Sequence, residues 1–165
     1  MNKPVLNVFR MLGRMGAPGA ERVAVGGDQA YSTDAIRTGG VRGVRTDINA
    51  LATRAKHQVA VMVWNYHDDD RIDAGAPVRL HIAGIPASQV TMRHYRIDQD
   101  HSNSYTAWKR MGSPAQPTGA QIVQLQQASE LAQLGTAKKL KIRDGNAIIT
   151  MQLPRQAVSL VTLTY

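Results

Sequence analysis

The chain has 165 residues, no cysteine, a formal net charge of +8 and a sequence pI near 10.2. That length allows one good hydrophobic core, and the missing cysteines exclude disulfides, thiolate nucleophiles and cysteine metal sites together. The positive charge invites a nucleic-acid partner, but it is spread: residues 1–56 carry +5 and residues 57–165 carry +3, with no nucleic-acid motif to concentrate it.

Pro4 followed by Val5, Leu6, Val8, Phe9 and Leu12 has the spacing of one helix stripe, and Gly13 and Gly16 end it. The stripe is wide and the next residues, Gly13 to Gly19, are rich in glycine, so the partner of this helix is not the segment that follows. A chain cut from a larger protein would leave such a helix. Arg10 and Arg14 interrupt any signal-peptide core, and no apolar run reaches the ~20 residues of a membrane helix.

Arg22 to Val25 reads as a short strand and Gly26 to Arg45 as an ordered loop with little periodicity. Alternation resumes from Asp47 to Arg54. Val59 to Trp64 is a continuous run rich in β-branched residues, the pattern of a strand buried on both faces. It closes on His67, Asp68, Asp69 and Asp70, a cluster with metal-ligating side chains. Contiguous loop residues splay apart, however, and the alternating ligands of a calcium loop are missing, so a solvated turn explains the run and no metal is expected. Val78, Leu80 and Ile82 alternate with Arg79 and His81 in a half-exposed strand ended by Gly84 and Pro86.

From Val90 the apolar residues keep one parity (Val90, Met92) and then the other (Tyr95, Ile97), which predicts a β-bulge near His94. Beyond Asp98 the sheet throws out a decorated excursion carrying Asp100, His101, Asn103, Tyr105 and Trp108. Hydrogen-bonding groups beside aromatic faces suit a sugar, which presents hydroxyls at its rim and C–H on its face; a packing flap over a sheet edge is the plainer reading. His101 beside Asp100 could form an acid/base pair. Thr118 and Gln121 have capping-box spacing, and Ile122, Leu125, Ala128, Ala132 and Leu134 continue with helical period to Gly135. Lys138, Lys139, Lys141 and Arg143 alternate with Leu140 and Ile142, as on the solvent face of an edge strand. Asp144-Gly145 is a turn signal before strands at Ala147 to Leu153 and Val158 to Tyr165. Seven or eight short strands without alternating helices predict an all-β fold, an antiparallel β-sandwich with one helical insertion at about 99–135.

The segments PVLNVFRMLGRM (4–15), TGGVRG (38–43), INALATR (48–54), VAVMVWNYHDDD (59–70), HYRIDQDHSNSYTAWKRMGSP (94–114) and LPRQAVSLVTL (153–163) together resemble the C-terminal part of bacterial β-xylosidases of glycoside hydrolase family 39. The resemblance implies a catalytic (β/α)8 barrel followed by an accessory β-sandwich. Residues 1–16 would then be the terminal helix of a missing barrel and 17–165 the accessory domain, with the barrel as partner, a xylo-oligosaccharide at its mouth, and no cofactor, nucleic acid or membrane. Retaining glycosidases need two carboxyl groups about 5–5.5 Å apart, and in the family both are glutamates on barrel strands. This chain has only Glu21 and Glu130, neither in the family's Asn-Glu-Pro motif. No catalytic residue carries over, and the chain alone is expected to be inactive. The competing expectation is a freestanding module that binds carbohydrate through Trp64, Tyr66, Tyr105 and Trp108, or polyanions through its charge.

Overall fold

The computed structural model describes residues 2–27, 29–69, 71 and 74–165. In chain order the elements are α1 (Pro4–Met15), β1 (Glu21–Val23), α2 (Thr33–Gly39), β2 (Asp47–Ala55), β3 (Gln58–Tyr66), β4 (Ala76–Ile82), β5 (Gln89–Ile97), α3 (Ser104–Arg110), α4 (Gly119–Ala128), β6 (Ala132–Gln133), β7 (Lys138–Lys141), β8 (Ala147–Leu153) and β9 (Val158–Thr164). Seven strands form one sheet in the order β1-β2-β3-β9-β5-β6, with β7 also on β5, while β4 and β8 form a second sheet of two. Every pairing is antiparallel. The fold is the expected all-β sandwich, and α1 forms a third layer.

Successive side chains of a strand point to opposite faces, so β3 can serve two layers at once. Val59 and Val61 pack with Ile82, Ala147, Ile149, Val161 and Leu163 beneath the small sheet. Ala60 and Met62 pack with Met11, Met15, Ile97 and Leu160 beneath α1. Burial on both faces is why the run from Val59 to Trp64 has no polar alternation.

The same arrangement removes the expected bulge at His94. The β5–β9 register runs unbroken from Thr91↔Thr164 to Ile97↔Val158. Val90 and Met92 belong to the layer under the small sheet, whereas Tyr95 and Ile97 belong to the layer under α1. The parity changes because the covered face changes along the strand.

Two helix expectations are also corrected. The supposed loop from Gly26 to Arg45 contains α2, whose N-cap Ser32 accepts from the Ala35 N–H at 3.2 Å; none of its residues is buried, so it carries no apolar stripe to betray it. The helix that begins at Thr118 does have its capping box, but it stops at Ala128 with Ser129 as C-cap. Ala132 and Gln133 instead pair with Arg96 and Tyr95, and the Leu134 N–H donates to the His94 carbonyl at 2.7 Å. Strand pairing outbids helical period there. The lysine-rich segment is indeed an edge strand, β7, bonded to β5 alone. After it, Asp144 and Gly145, both at positive φ, turn the chain out of the large sheet and into the small one.

The face that α1 buries is not the one its hydrophobicity suggests. Asn7, Met11 and Met15, spaced four apart, are buried against the sheet, whereas Phe9 is 64% and Val5 58% exposed, with Leu6 and Leu12 also exposed. The more apolar stripe faces away from the protein.

Candidate functional site

The excursion after β5 is organised by Asp98, a residue whose role the sequence pattern did not reveal. Its Oδ1 accepts from the Asp100 and His101 backbone N–H groups, both at 2.8 Å, and from His101 Nδ1 at 2.9 Å. Its Oδ2 faces Arg96 Nη1 at 3.4 Å. Burial alone would raise the carboxyl, but the His101 hydrogen bond, together with the backbone donors, holds it below the ordinary carboxylate range. Against an ionised Asp98, His101 Nδ1 carries the proton and donates, so that in a neutral ring Nε2 is the acceptor. The expected Asp100–His101 pair is therefore replaced by Asp98–His101, and Asp100 instead forms an ion pair with Arg110. The only cue in the sequence is the Asp-x-x-His spacing, common in turns.

Asn103 serves the backbone. As N-cap of α3 it accepts from the Tyr105 and Thr106 N–H groups, and its Nδ2 donates to the Asp98 carbonyl at 3.1 Å. Tyr105 and Trp108, one helical turn apart, stack with ring centroids 5.8 Å apart, and Lys109 lies over the Tyr105 ring. Trp108 is half-buried and its indole N–H donates to the Pro114 carbonyl at 3.0 Å, while Tyr105 is exposed. The five expected residues thus share one loop and helix; His101 and Tyr105 keep chemistry directed outward, and Asp100, Asn103 and Trp108 are engaged within the excursion.

Below it lies a buried polar network. Ser159 Oγ, fully buried, accepts from Arg96 Nε at 2.6 Å and lies 2.9 Å from His94 Nε2. Burial, reinforced by the Arg96 charge and then by His101 and Lys138, pushes the His94 pKa down to about 4. Ser102 Oγ donates to the Arg96 carbonyl and accepts from the Ala132 N–H, tying the excursion to β5 and β6.

The acidic run after β3 holds a loop. Asp68 accepts the Val41 N–H at 2.6 Å and the Tyr66 hydroxyl at 2.5 Å; Asp69 accepts the Gly43 N–H at 2.8 Å and pairs with Arg155. A Cβ on Gly40, which sits at φ +59°, would come within 2.9 Å of Asp68 Oδ2, so that tight loop requires glycine. Asp70 lies outside the described residues. Of the aromatic quartet, Trp64 packs in the layer under α1, so the four rings do not form one exposed platform.

Residues 1–142 match the family described as Glycosyl hydrolases family 39. The chain belongs to that family. As a family 39 chain it shares its fold with solved structures of low sequence identity. The GH39 enzyme from Xanthomonas axonopodis pv. citri aligns with a TM-score of 0.63 and 22% identity, over 70% of this chain and 26% of that one. A monomeric beta-xylosidase from Caulobacter crescentus CB15 gives a TM-score of 0.63 and 20% identity over the same shares. A glucosidase from Croceicoccus marinus gives 0.55 and 16%, over 99% of this chain and 31% of that one. No curated protein sequence matches. This family 39 chain therefore spans about a quarter of the length of its structural relatives, 26% in the first two. Among its described residues no helix is long and apolar enough to cross a membrane. Of its two glutamates, Glu130 pairs with Arg10 of α1 at 3.1 Å and Glu21 begins β1.

Proposed function

We propose that this chain is the accessory β-sandwich of a glycoside hydrolase acting on xylo-oligosaccharides, and that residues 1–16 are the terminal helix of a catalytic (β/α)8 barrel supplied elsewhere in the polypeptide. The carrying observation is α1 itself. Its buried face is anchored to the sheet, and its more apolar face, with Phe9 64% exposed, is turned outward without a partner among the described residues. An exposed stripe of this kind is an interaction surface. The barrel would cover Val5, Leu6, Phe9 and Leu12.

In this reading Asp98 and α3 hold His101, Tyr105 and Trp108 at the rim of the barrel mouth, with Asp100 and Asn103 shaping the loop that carries them. His101 Nε2 would accept a sugar hydroxyl, and the Tyr105–Trp108 stack would offer an aromatic edge. The paired carboxylates of a retaining hydrolase would come from the barrel.

The test compares the complete gene product with the 165-residue chain. The complete product is expected to hydrolyse an aryl β-xyloside and the 165-residue chain is not. Phe9→Glu is expected to lower the melting temperature of the complete product and leave that of the shorter chain unchanged. Turnover by the shorter chain, surviving a contaminant control, or equal effects of Phe9→Glu in both proteins, would overturn the reading.

A further inference from the structure

The positive charge is spread along the sequence, but strand register gathers part of it on one face of the large sheet. Tyr95 packs in the layer under α1, and alternate residues of a strand share a face, so Gln89, Thr91 and Arg93 of β5 point to that side as well. Lys141 lies opposite Gln89 and Lys139 opposite Thr91. Arg93 is the next residue on the face, and the Arg14 guanidinium of α1 lies over the Tyr95 ring, 4.7 Å from its centroid. Each step along β5 therefore carries one cation, in the order Lys141, Lys139, Arg93, Arg14, at intervals of about 6.8 Å and over about 20 Å in all.

The row has a single sign. β3, β5, β7 and β9 contain no aspartate or glutamate, and the ion pairs among the described residues involve none of these cations. Lysines on an edge strand guard it against stray pairing, and a cation in the last turn of α1 complements the helix dipole. Neither reason reaches Arg93, because β5 is bonded to β9 on one side and to β6 and β7 on the other. Like charges on neighbouring positions of one face repel, so the row is a cost to the fold that an anion would relieve. Thr91 and Thr164, directly opposite each other, set hydroxyls beside it.

A straight row of separated cations matches a linear polyanion; a single anion would need them convergent. Nucleic acid is disfavoured, because Tyr95, the ring beside the row, is already covered by Arg14 and offers no face on which to stack a base. Cations flanked by hydroxyls suit a polymer in which carboxylates are interspersed with hydroxyl groups. We infer that the row binds a linear polysaccharide bearing uronate carboxylates and holds it along β5. This goes beyond the proposed function and rests on it only in choosing a polysaccharide among linear polyanions.

Affinity electrophoresis of the 165-residue chain and of the complete gene product tests the inference, with polygalacturonate as the acidic polymer. Polygalacturonate is expected to retard both proteins, and neutral xylan is expected not to retard the 165-residue chain. Lys139→Gln combined with Lys141→Gln is expected to weaken polygalacturonate binding at least about tenfold and to flatten its salt dependence, and Arg93→Gln acts in the same direction. Lys138→Gln is expected to change nothing, since Lys138 lies opposite Met92 and faces the small sheet's side. Should Arg93→Gln lower the melting temperature, the exposed lysine pair carries the test. Equal losses from Lys138→Gln and from the lysine pair, binding to double-stranded DNA or anionic phospholipid vesicles as tight as to polygalacturonate, or binding by the shorter chain that the complete product lacks would overturn the inference. Absence of xyloside turnover in the complete product counts against the proposed function alone, because polygalacturonate binding is read without turnover.

Discussion

Asn7 of α1 donates through its Nδ2 to two backbone carbonyls, Ser102 at 3.1 Å and Ser129 at 3.0 Å, 95 and 122 residues away. One fully buried amide thus joins the helix to both ends of the excursion. Arg10 reinforces the joint by bonding Asn7 Oδ1 and Glu130. The geometry makes α1 part of the platform that holds His101 and α3, whatever covers its outer face.

Replacing Asn7 by alanine leaves both carbonyls buried without a donor, which costs about 2–3 kcal/mol. For a chain of this size the melting temperature is expected to fall by about 4–10 °C. Thermal unfolding followed by circular dichroism measures it, and a change under 1 °C would show that the joint carries no stability.

The exposed stripe on α1 should make the isolated chain self-associate. Light scattering is expected to report a concentration-dependent mass, and the double substitution Val5→Glu and Phe9→Glu is expected to shift it to monomer without lowering the melting temperature, because both side chains point away from the core. A wild-type chain that stays monomeric at high concentration would contradict this.

If the excursion lies at a barrel mouth, as proposed, His101→Ala and Trp108→Ala should have separable effects in the complete gene product. If His101 meets substrate, its loss is expected to weaken binding by about 1–2 kcal/mol, read as a raised KM or lowered kcat/KM. Trp108 packs and bonds to Pro114, so its replacement is expected to lower the melting temperature as well. A loss of stability in both variants with unchanged KM would reduce the excursion to a packing flap.

His94 makes stability depend on pH. Its pKa is depressed to about 4 in the fold, against about 6.5 in the unfolded chain, so between these values the unfolded state binds more protons and stability rises with pH. The contribution is full above about pH 6.5 and is lost as pH falls toward 4. After screening at a partly exposed ring it amounts to about 1–2 kcal/mol. Denaturant melts between pH 4 and 7 should show this slope in the wild type, and His94→Gln should flatten it.

Local chemistry alone made several elements legible. The β-branched run from Val59, the Thr118–Gln121 capping box, the turn at Asp144-Gly145 and the lysine-studded edge strand depend on side-chain type and spacing over a few residues, and the structure contains all four. So did the excursion, because its polar and aromatic residues cannot continue a half-buried strand. What only the tertiary structure decided is which surface covers which face. The parity change in β5 reports two different covering layers and not a bulge; Ala132 and Gln133 leave helical geometry because β5 offers them a pairing edge. Asp98 captures His101 because Arg96 and the turn place it there, although Asp100 is the nearer neighbour in sequence. The stripe of α1 pointed to a helix with an apolar partner, yet the anchored face uses Asn7, Met11 and Met15, since a buried amide can serve carbonyls that no hydrophobic side chain could satisfy. Periodicity records that a face is covered; the covering layer is set by contacts about a hundred residues apart, as between Asn7 and Ser102 with its separation of 95.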